Sequence, residues 1–243
     1  ETMFKGGDKR PGAHMFTWKK GELKVDRYYD IRYHVDESKS MEDWEKAITE
    51  TFAESVKVHQ IADVEVGCFL SSGVDSSFVV NEVAKGTPKV KSFSVGYEEE
   101  KYSELPYAQA FSKEIGVPSI ANKVSADEFF EANKTIQWYL DEPMPNPSEV
   151  PLYFLTKNAA RYVKVVLSGE GADELFGGYP LYCAAHHFEE YEHKTPRFVR
   201  KAAGAVAGVL PDFKGKNFLM RGAKEPWQRC MRANYVFATP AER

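Results

Sequence analysis

The sequence predicts an α/β fold in which a parallel sheet carries helices on both faces, followed by a mainly helical C-terminal part. Short apolar segments alternate with segments of helical periodicity between residues 64 and 168. Such alternation is typical of crossover units, which place helices on both faces of a parallel sheet. Segments such as VKVVLS are almost wholly apolar, as expected of a strand buried on both sides. Roughly the last 60 residues carry mainly helical patterns.

Each predicted helix and strand is assigned from the spacing of its hydrophobic residues, from residues that cap helices and from residues that interrupt regular structure. Residues 14–31 predict a hairpin whose turn lies at Lys20 and Gly21. Ser125 and Glu128 have the spacing of a capping box at the start of a helix. The remaining elements are a helix at 41–60, strands at 64–70, 90–97, 119–124 and 163–168, and helices at 76–86, 104–116, 125–140 and 149–162.

Composition and charge narrow the class of protein. The formal net charge of −4 arises from 32 basic and 36 acidic residues without long blocks of one sign, so nucleic acid is not an expected partner. Cys68, Cys183 and Cys230 are far apart and lack zinc-type spacing, which favours a reducing compartment. Cys68 lies inside a predicted strand and is interpreted as a small core residue. No apolar run reaches the roughly 18 residues of a membrane span, so no membrane partner is expected. The predicted location of the protein is the cytoplasm.

Two unusual loops follow predicted strands. SSGVDSS, residues 71–77, follows the strand at 64–70, and SGEGADELFGGY, residues 168–179, follows the strand at 163–168. Ligands of open parallel sheets bind outside the carboxyl ends of the strands. Both loops are therefore candidate parts of a binding site.

The first loop has the chemistry of a phosphate site. Gly73 suits a tight turn, and the next helix directs its free amides and positive dipole end at this point. The serine hydroxyls add donors, whereas Asp75 would repel a phosphate unless a divalent cation lies between them. The pattern thus predicts phosphate with magnesium. The alternative is a serine-rich helix start with Asp75 in its first turn.

The second loop concentrates negative charge. It holds Glu170, Asp173 and Glu174 among four glycines, directly after a very apolar strand. The alternative is a solvated surface turn. Its position after a strand favours a role in ligand binding.

These motifs resemble the signatures of one enzyme family. FLSSGVDSS is similar to the SGGxDS pyrophosphate-binding loop of the PP-loop ATP pyrophosphatases. VVLSGEGADELFGGY is similar to the second signature of the synthetase domain of glutamine-hydrolysing asparagine synthetases. DEPMPNPSEVPLYFL and SFSVGY extend the likeness, which runs from about residue 41 to residue 182. One departure is Ser72, which stands where the family has glycine and requires a backbone conformation that serine tolerates.

The resemblance implies a ligase of asparagine biosynthesis that uses ATP and Mg²⁺. The aspartate side chain attacks the α-phosphorus of ATP and releases pyrophosphate, and ammonia then displaces AMP. Ser71, Gly73 and Ser76 would hold pyrophosphate, with Asp75 and Asp173 as magnesium ligands. Glu170 would accept a proton from ammonia as the catalytic base. The residues expected to line the AMP site are Leu70, Val95, Ser168 and Gly169.

The resemblance also implies a domain organisation. Residues 1–36 look like the last strands of a glutaminase domain and its linker, and residues 37–243 like a synthetase domain. The expectation is an excised part of a glutamine amidotransferase, whose absent glutaminase domain would be a partner. The family's lysine that steadies pyrophosphate and its arginine-rich helical segment are expected beyond Arg243. Aspartate, ATP and ammonia are the expected small partners, and a homodimer is left open.

Three alternatives stay open at this stage. A β-lactam synthetase-like or other amide-forming enzyme would adenylate a different carboxylate with the same two loops. A non-catalytic homologue would bind nucleotide without turnover. A kinase-like phosphate donor would release ADP instead of AMP.

Overall fold

The computed structural model describes residues 4–141, 143, 146–226, 228 and 229. The chain forms two compact units, Glu1–Gly169 and Glu170–Arg243. The boundary predicted near residue 36 concerns the parent protein and stays a prediction.

The first unit begins with the predicted hairpin. Strands β1 (His14–Lys19) and β2 (Glu22–Arg27) pair in antiparallel register. Lys20 and Gly21 form the turn with φ of 52° and 85°. Positive φ at both central residues matches the twist of a two-residue hairpin, so the prediction is confirmed.

A parallel α/β sheet follows the hairpin. Its strands lie in the order β5-β4-β3-β6, and every neighbouring pair is parallel, which confirms the predicted fold class. The elements are α1 (Met41–His59), β3 (Val66–Phe69), α2 (Val74–Gly86), β4 (Ser92–Tyr97), a 3-10 turn (Glu100–Tyr102), α3 (Leu105–Glu114), β5 (Ser119–Val124), α4 (Ala126–Tyr139), α5 (Glu149–Ala159) and β6 (Val165–Leu167).

The sheet is covered on both faces. Cys68, in β3, and Leu70, directly after it, pack into a cluster with residues of α1, α2 and α3. Phe69, between them, packs on the opposite face in a cluster with Phe93 and residues of α5. Successive side chains of a strand point to opposite faces, so one strand serves both cores.

Helix boundaries depart from the predictions in one place that matters for the site. Helix α2 begins at Val74 rather than at residue 76, with Gly73 as its N-cap. Asp75, Ser76 and Ser77 therefore belong to the first helical turn and not to a loop. The reason is local, because Ser77 N donates to Gly73 O at 3.2 Å and closes the first turn there.

Helix α4 has the predicted capping box. Glu128 N donates to Ser125 Oγ at 3.2 Å, and Ser125 N donates to Glu128 Oε2 at 2.9 Å. After its C-cap Leu140, Asp141 adopts φ of 62°, the left-handed conformation usual after a helix end. This geometry favours a helix-ending role for Asp141. Glu142, the other acid of that segment, lies outside the described residues.

The second unit is mainly helical over its described residues, as predicted. It contains α6 (Ala172–Phe176), α7 (Pro180–Lys194), α8 (Arg197–Val209) and α9 (Lys216–Gly222). Glu192 accepts from Arg200 Nη1 at 3.0 Å and from Arg229 Nη1 at 2.7 Å, which ties α7 to α8 and to the segment after α9. None of the helices in the described ranges is long and apolar enough to cross a bilayer.

Thiol reactivity tests the core assignment of Cys68. Its side chain is fully buried, and burial raises its pKa to about 12. At pH 8 only about 10⁻⁴ of the group would be thiolate, the reactive form. We expect thiol reagents to label the exposed Cys183 in the native protein and Cys68 only after unfolding. Peptide mass spectrometry measures both, and equal native labelling would contradict the assignment.

Candidate functional site

The carboxyl ends of three neighbouring strands form the edge on which the first-unit site residues lie. Strand β3 lies between β4 and β6, with Cys68 paired to Ser92 on one side and to Leu167 on the other. Because all three strands are parallel, their exits share one edge of the sheet. Leu70, Ser71 and Gly73 follow β3, and Ser168 and Gly169 follow β6.

The segment Ser71–Gly73, here called the phosphate loop, is organised by its own serines. Ser71 Oγ and Ser76 Oγ lie 2.9 Å apart, and Ser71 N donates to Ser76 Oγ at 3.1 Å. Gly73 N donates to Ser71 Oγ at 3.1 Å. The hydroxyls of Ser71 and Ser76 thus bridge the loop and the first turn of α2.

The backbone of the phosphate loop accepts a serine at position 72. Among the described residues, the only non-glycine residues with positive φ are Ala13, Lys20 and Asp141, so Ser72 has an ordinary conformation. Gly73 itself has φ of −73° and ψ of 152°, which any residue can adopt. The chain bends at residues 72 and 73 directly before α2, so the turn expected here is present, but the φ of Gly73 does not itself require glycine. A β-carbon on Gly73 would nevertheless come within 3.2 Å of Ser71 Oγ.

The N-terminus of α2 is open to solvent. Gly73 supplies no side-chain cap to the first amides, and Val74 is 82% exposed. The first turn of a helix carries amides without intrahelical partners and the positive end of the helix dipole. Asp75 lies half-buried in that turn. The arrangement can bind an anion and places one carboxylate beside it.

Gly169 brings the end of β6 against the first turn of α2. A β-carbon at Gly169 would lie 2.7 Å from the nitrogen of Ser76 and 2.8 Å from the carbonyl carbon of Asp75. These contacts are with backbone atoms, which cannot turn away as a side chain can. Only glycine permits this approach, and it links the first motif to the beginning of the second within the first unit.

Leu70 and Val95 face opposite sides of the sheet. Leu70 is 3% exposed and packs in the same cluster as Cys68. In the register of β3 and β4, Leu70 is aligned with Ser94, whose hydroxyl donates to Leu70 O at 2.7 Å. Val95 is half-buried, and Ser168 is exposed. Val95 and Ser168 therefore have solvent-accessible surface that a ligand could contact. The Leu70 side chain is packed in the core instead.

The second motif lies largely in the second unit, where helix α6 holds its acids. Asp173 is half-buried and Glu174 is exposed, both in the first turn of α6. Gly178 packs against Asp173, and a β-carbon there would overlap the carboxylate. Tyr179 donates its hydroxyl to Glu174 at 3.0 Å, which raises the pKa of Tyr179, and the charges of Asp173 and Glu170 add to the effect. The segment therefore has a negative field suited to a cation.

Each of the two units carries a carboxylate with the chemistry of a magnesium ligand. Within the part of the chain that the structure describes, no group of three histidine, cysteine or acidic side chains forms a metal site of its own. Magnesium usually takes only one or two carboxylates together with phosphate oxygens and water. The half-buried Asp75, beside an anion-binding helix end, and Asp173, in the space that Gly178 leaves, have the right chemistry for such ligands.

Glu104 is a site residue that sequence reasoning missed. Its carboxylate oxygen Oε2 accepts from Ser72 N at 3.4 Å, across 32 residues of sequence. Glu104 is the N-cap residue of α3, in the connection that follows β4. The available signal was its place after the carboxyl end of a strand next to β3, on the same edge as the phosphate loop.

Comparison with known proteins agrees with these motifs. The family model described as asparagine synthase matches residues 47–235. A Mycobacterium tuberculosis H37Rv protein, provisionally named a glutamine-hydrolysing asparagine synthetase, is 44% identical over 177 residues, 72% of this chain and 27% of that protein. Asparagine synthetase (glutamine-hydrolysing) 1 of Bacillus subtilis 168 is 36% identical over 216 residues, 87% of this chain and 33% of that protein. The chain thus spans a third or less of the length of these relatives.

Proposed function

Because this chain belongs to the asparagine synthase family, we propose that its parent protein makes asparagine from aspartate, ATP and ammonia. The observation that carries the proposal is the close approach of Gly169 to Asp75 and Ser76. It brings the end of the strand before the second motif against the helix start of the first motif. Either motif alone has an ordinary structural explanation, whereas their junction at one helix end is what a nucleotide site needs.

The first step is attack by the aspartate side-chain carboxylate on the α-phosphorus of ATP. A phosphorus–oxygen bond forms to the carboxylate, and the bond to pyrophosphate breaks. The amides of the first α2 turn and the hydroxyls of Ser71 and Ser76 bind the leaving pyrophosphate, and Gly73 starts the helix that aims those amides. Positioning and charge neutralisation supply most of the rate acceleration in such displacements.

Magnesium completes the charge balance of this step. When bound, the ion would supply positive charge that offsets the negative charge developing on the phosphates. We assign Asp75 and Asp173 as its protein ligands, on the strength of their carboxylate chemistry and the family signatures. Asp75 also prevents free phosphate from binding tightly at the same helix end, because like charges repel.

In the second step ammonia attacks the acyl carbon and AMP leaves. The new carbon–nitrogen bond requires the loss of a proton from nitrogen, and AMP departs with one oxygen of the original carboxylate. Glu170 follows Gly169 in the sequence and is assigned as the base that accepts this proton. Val95, Ser168 and Gly169 are assigned to AMP contacts, and Leu70 supports them from the core.

The proposed domain organisation gives the source of ammonia. Residues 1–36 would end a glutaminase domain and its linker, and residues 37–243 would belong to the synthetase domain, part of which is expected beyond Arg243. Ammonia would come from glutamine hydrolysed by that glutaminase domain of the parent protein. The proposal includes cytoplasmic location, and a homodimer is compatible with it.

Replacing Glu170 by glutamine separates the two steps. We expect pyrophosphate release to continue while asparagine formation falls by about 10²-fold, the lower end of a typical general-base contribution. The measurement is the ratio of pyrophosphate to asparagine formed by the parent protein. Glu189→Gln, on an exposed side chain of α7, is the control for loss of one charge. Equal loss of both products in the Glu170 variant would remove its role as base.

Product analysis tests the overall proposal. The parent protein is incubated with ATP, magnesium, aspartate and ammonium, and the nucleotide and amino-acid products are identified by mass spectrometry. Asparagine together with AMP is the expected result. ADP as the nucleotide product would indicate phosphate transfer instead of adenylation. AMP formed only with a carboxylate other than aspartate would show that aspartate is not the substrate.

A further inference from the structure

The three backbone amides of the phosphate loop all have acceptors within the protein. Ser71 N donates to Ser76 Oγ, and Gly73 N donates to Ser71 Oγ. Ser72 N donates to Glu104 Oε2. A phosphate oxygen that approaches the loop must therefore share or displace one of these acceptors.

The acceptors differ in what they can do when an anion arrives. A serine hydroxyl that accepts from an amide also carries a hydrogen, which it can turn from its present acceptor, Gly73 O in the case of Ser76 Oγ, to a phosphate oxygen. A carboxylate can only accept, and its charge repels the phosphate. Glu104 is thus the one of these three acceptors that opposes phosphate at the loop.

The backbone of Glu104 is held firmly while its side chain is exposed. Its carbonyl accepts from Tyr107 N at 3.1 Å and Ala108 N at 3.2 Å, which fixes it to the first turn of α3. The next residue, Leu105, is buried in the core. The Glu104 side chain itself lies at the surface and can swing without disturbing this anchor.

We propose that Glu104 is a positioning residue that competes with the phosphates of the nucleotide for the Ser72 amide. This inference rests on the proposed function, because it takes the loop to be the nucleotide site. Competition lowers the affinity for free ATP more than for magnesium-bound ATP, since the ion neutralises part of the phosphate charge. Glu104 therefore favours the magnesium complex over the bare nucleotide and assists the departure of pyrophosphate.

The test is equilibrium binding of ATP to the full-length parent protein, with and without magnesium. Glu104→Gln keeps an acceptor for Ser72 N but removes the charge. We expect it to bind magnesium-free ATP about tenfold tighter and magnesium-bound ATP about threefold tighter, as like charges in an interface oppose association. Glu104→Ala, which removes the acceptor too, is expected to gain at least as much.

Glu114→Gln is the matched control. Glu114 ends the same helix and is exposed, and the ten residues of α3 place it about 15 Å away, beyond a Debye length at ordinary salt. The affinity of Glu114→Gln for ATP should match that of the unmodified protein. The thermal unfolding temperature without nucleotide should be the same in all variants.

The outcomes distinguish the two proposals. If the unmodified protein binds ATP but Glu104→Gln binds it equally or more weakly, with or without magnesium, the competition is overturned and the proposed function stands. An equal gain with and without magnesium would also overturn it. If the unmodified parent binds no ATP under either condition, both proposals fall.

Discussion

Asp75→Asn is expected to reduce ATP-dependent asparagine synthesis by the parent protein at least about 10³-fold, because a metal ligand at a phosphoryl centre supplies several kcal/mol of charge stabilisation. The amide is nearly the same size but lacks the charge that magnesium needs. Steady-state AMP formation, titrated with magnesium, measures the effect. The magnesium concentration needed for half-maximal rate should rise together with the loss in rate.

Asp127→Asn is the control that separates metal binding from helix capping. Asp75 is the second residue of α2, and Asp127 is the second residue of α4. An acid in the first turn of a helix contributes about 0.3–1 kcal/mol through the helix dipole, so both variants should lose similar small amounts of stability. Only Asp75→Asn should lose activity. Near-normal activity of Asp75→Asn would contradict the assignment of Asp75 as a magnesium ligand and leave it with a helix-capping role only.

Gly169→Ala is expected to disrupt the site through backbone overlap. The new β-carbon would lie 2.7 Å from Ser76 N and 2.8 Å from the carbonyl carbon of Asp75, so β6 or α2 must shift. Overpacking of this kind costs about 1–3 kcal/mol of unfolding free energy. ATP affinity should fall more than tenfold, because the amides that bind pyrophosphate move with the helix. Chemical denaturation and nucleotide titration measure the two effects.

Gly86→Ala is the matched control for that substitution. Gly86 is the last residue of α2, and a β-carbon there meets nothing within 4 Å. We expect its unfolding free energy to stay within about 1 kcal/mol of the unmodified protein and its ATP affinity to be unchanged. Normal ATP binding by Gly169→Ala would show that the junction of the two motifs is not needed for the nucleotide.

Local sequence predicts most of the sheet and its helices. The capping box of Ser125 and Glu128 and the turn at Lys20 and Gly21 are formed by neighbouring residues, so their patterns are visible directly. Strands β3, β4 and β6 are shorter than predicted, since apolar residues such as Val64 extend past the hydrogen-bonded ladder, whereas β5 has the predicted bounds. The sequence also correctly predicts that the phosphate loop leads directly into a helix.

Contacts between distant segments are what the sequence does not reveal. The bond between Ser72 and Glu104 joins residues 32 positions apart, and no local pattern specifies it. The close approach of Gly169 to Asp75 and Ser76 depends on the pairing of β3 with β6. The opposite facing of Leu70 and Val95 depends on the register of β3 with β4, where a shift of one residue would reverse it.

An isotope-transfer experiment tests the central claim most directly, because it follows the bond that the proposed site makes. The parent protein is given ATP, magnesium, ammonium and aspartate labelled with oxygen-18 in its side-chain carboxylate. Attack on the α-phosphorus predicts AMP that carries one oxygen-18 atom, together with asparagine that retains the other. Unlabelled AMP, or oxygen-18 in inorganic phosphate with ADP as the nucleotide product, would contradict the proposed adenylation.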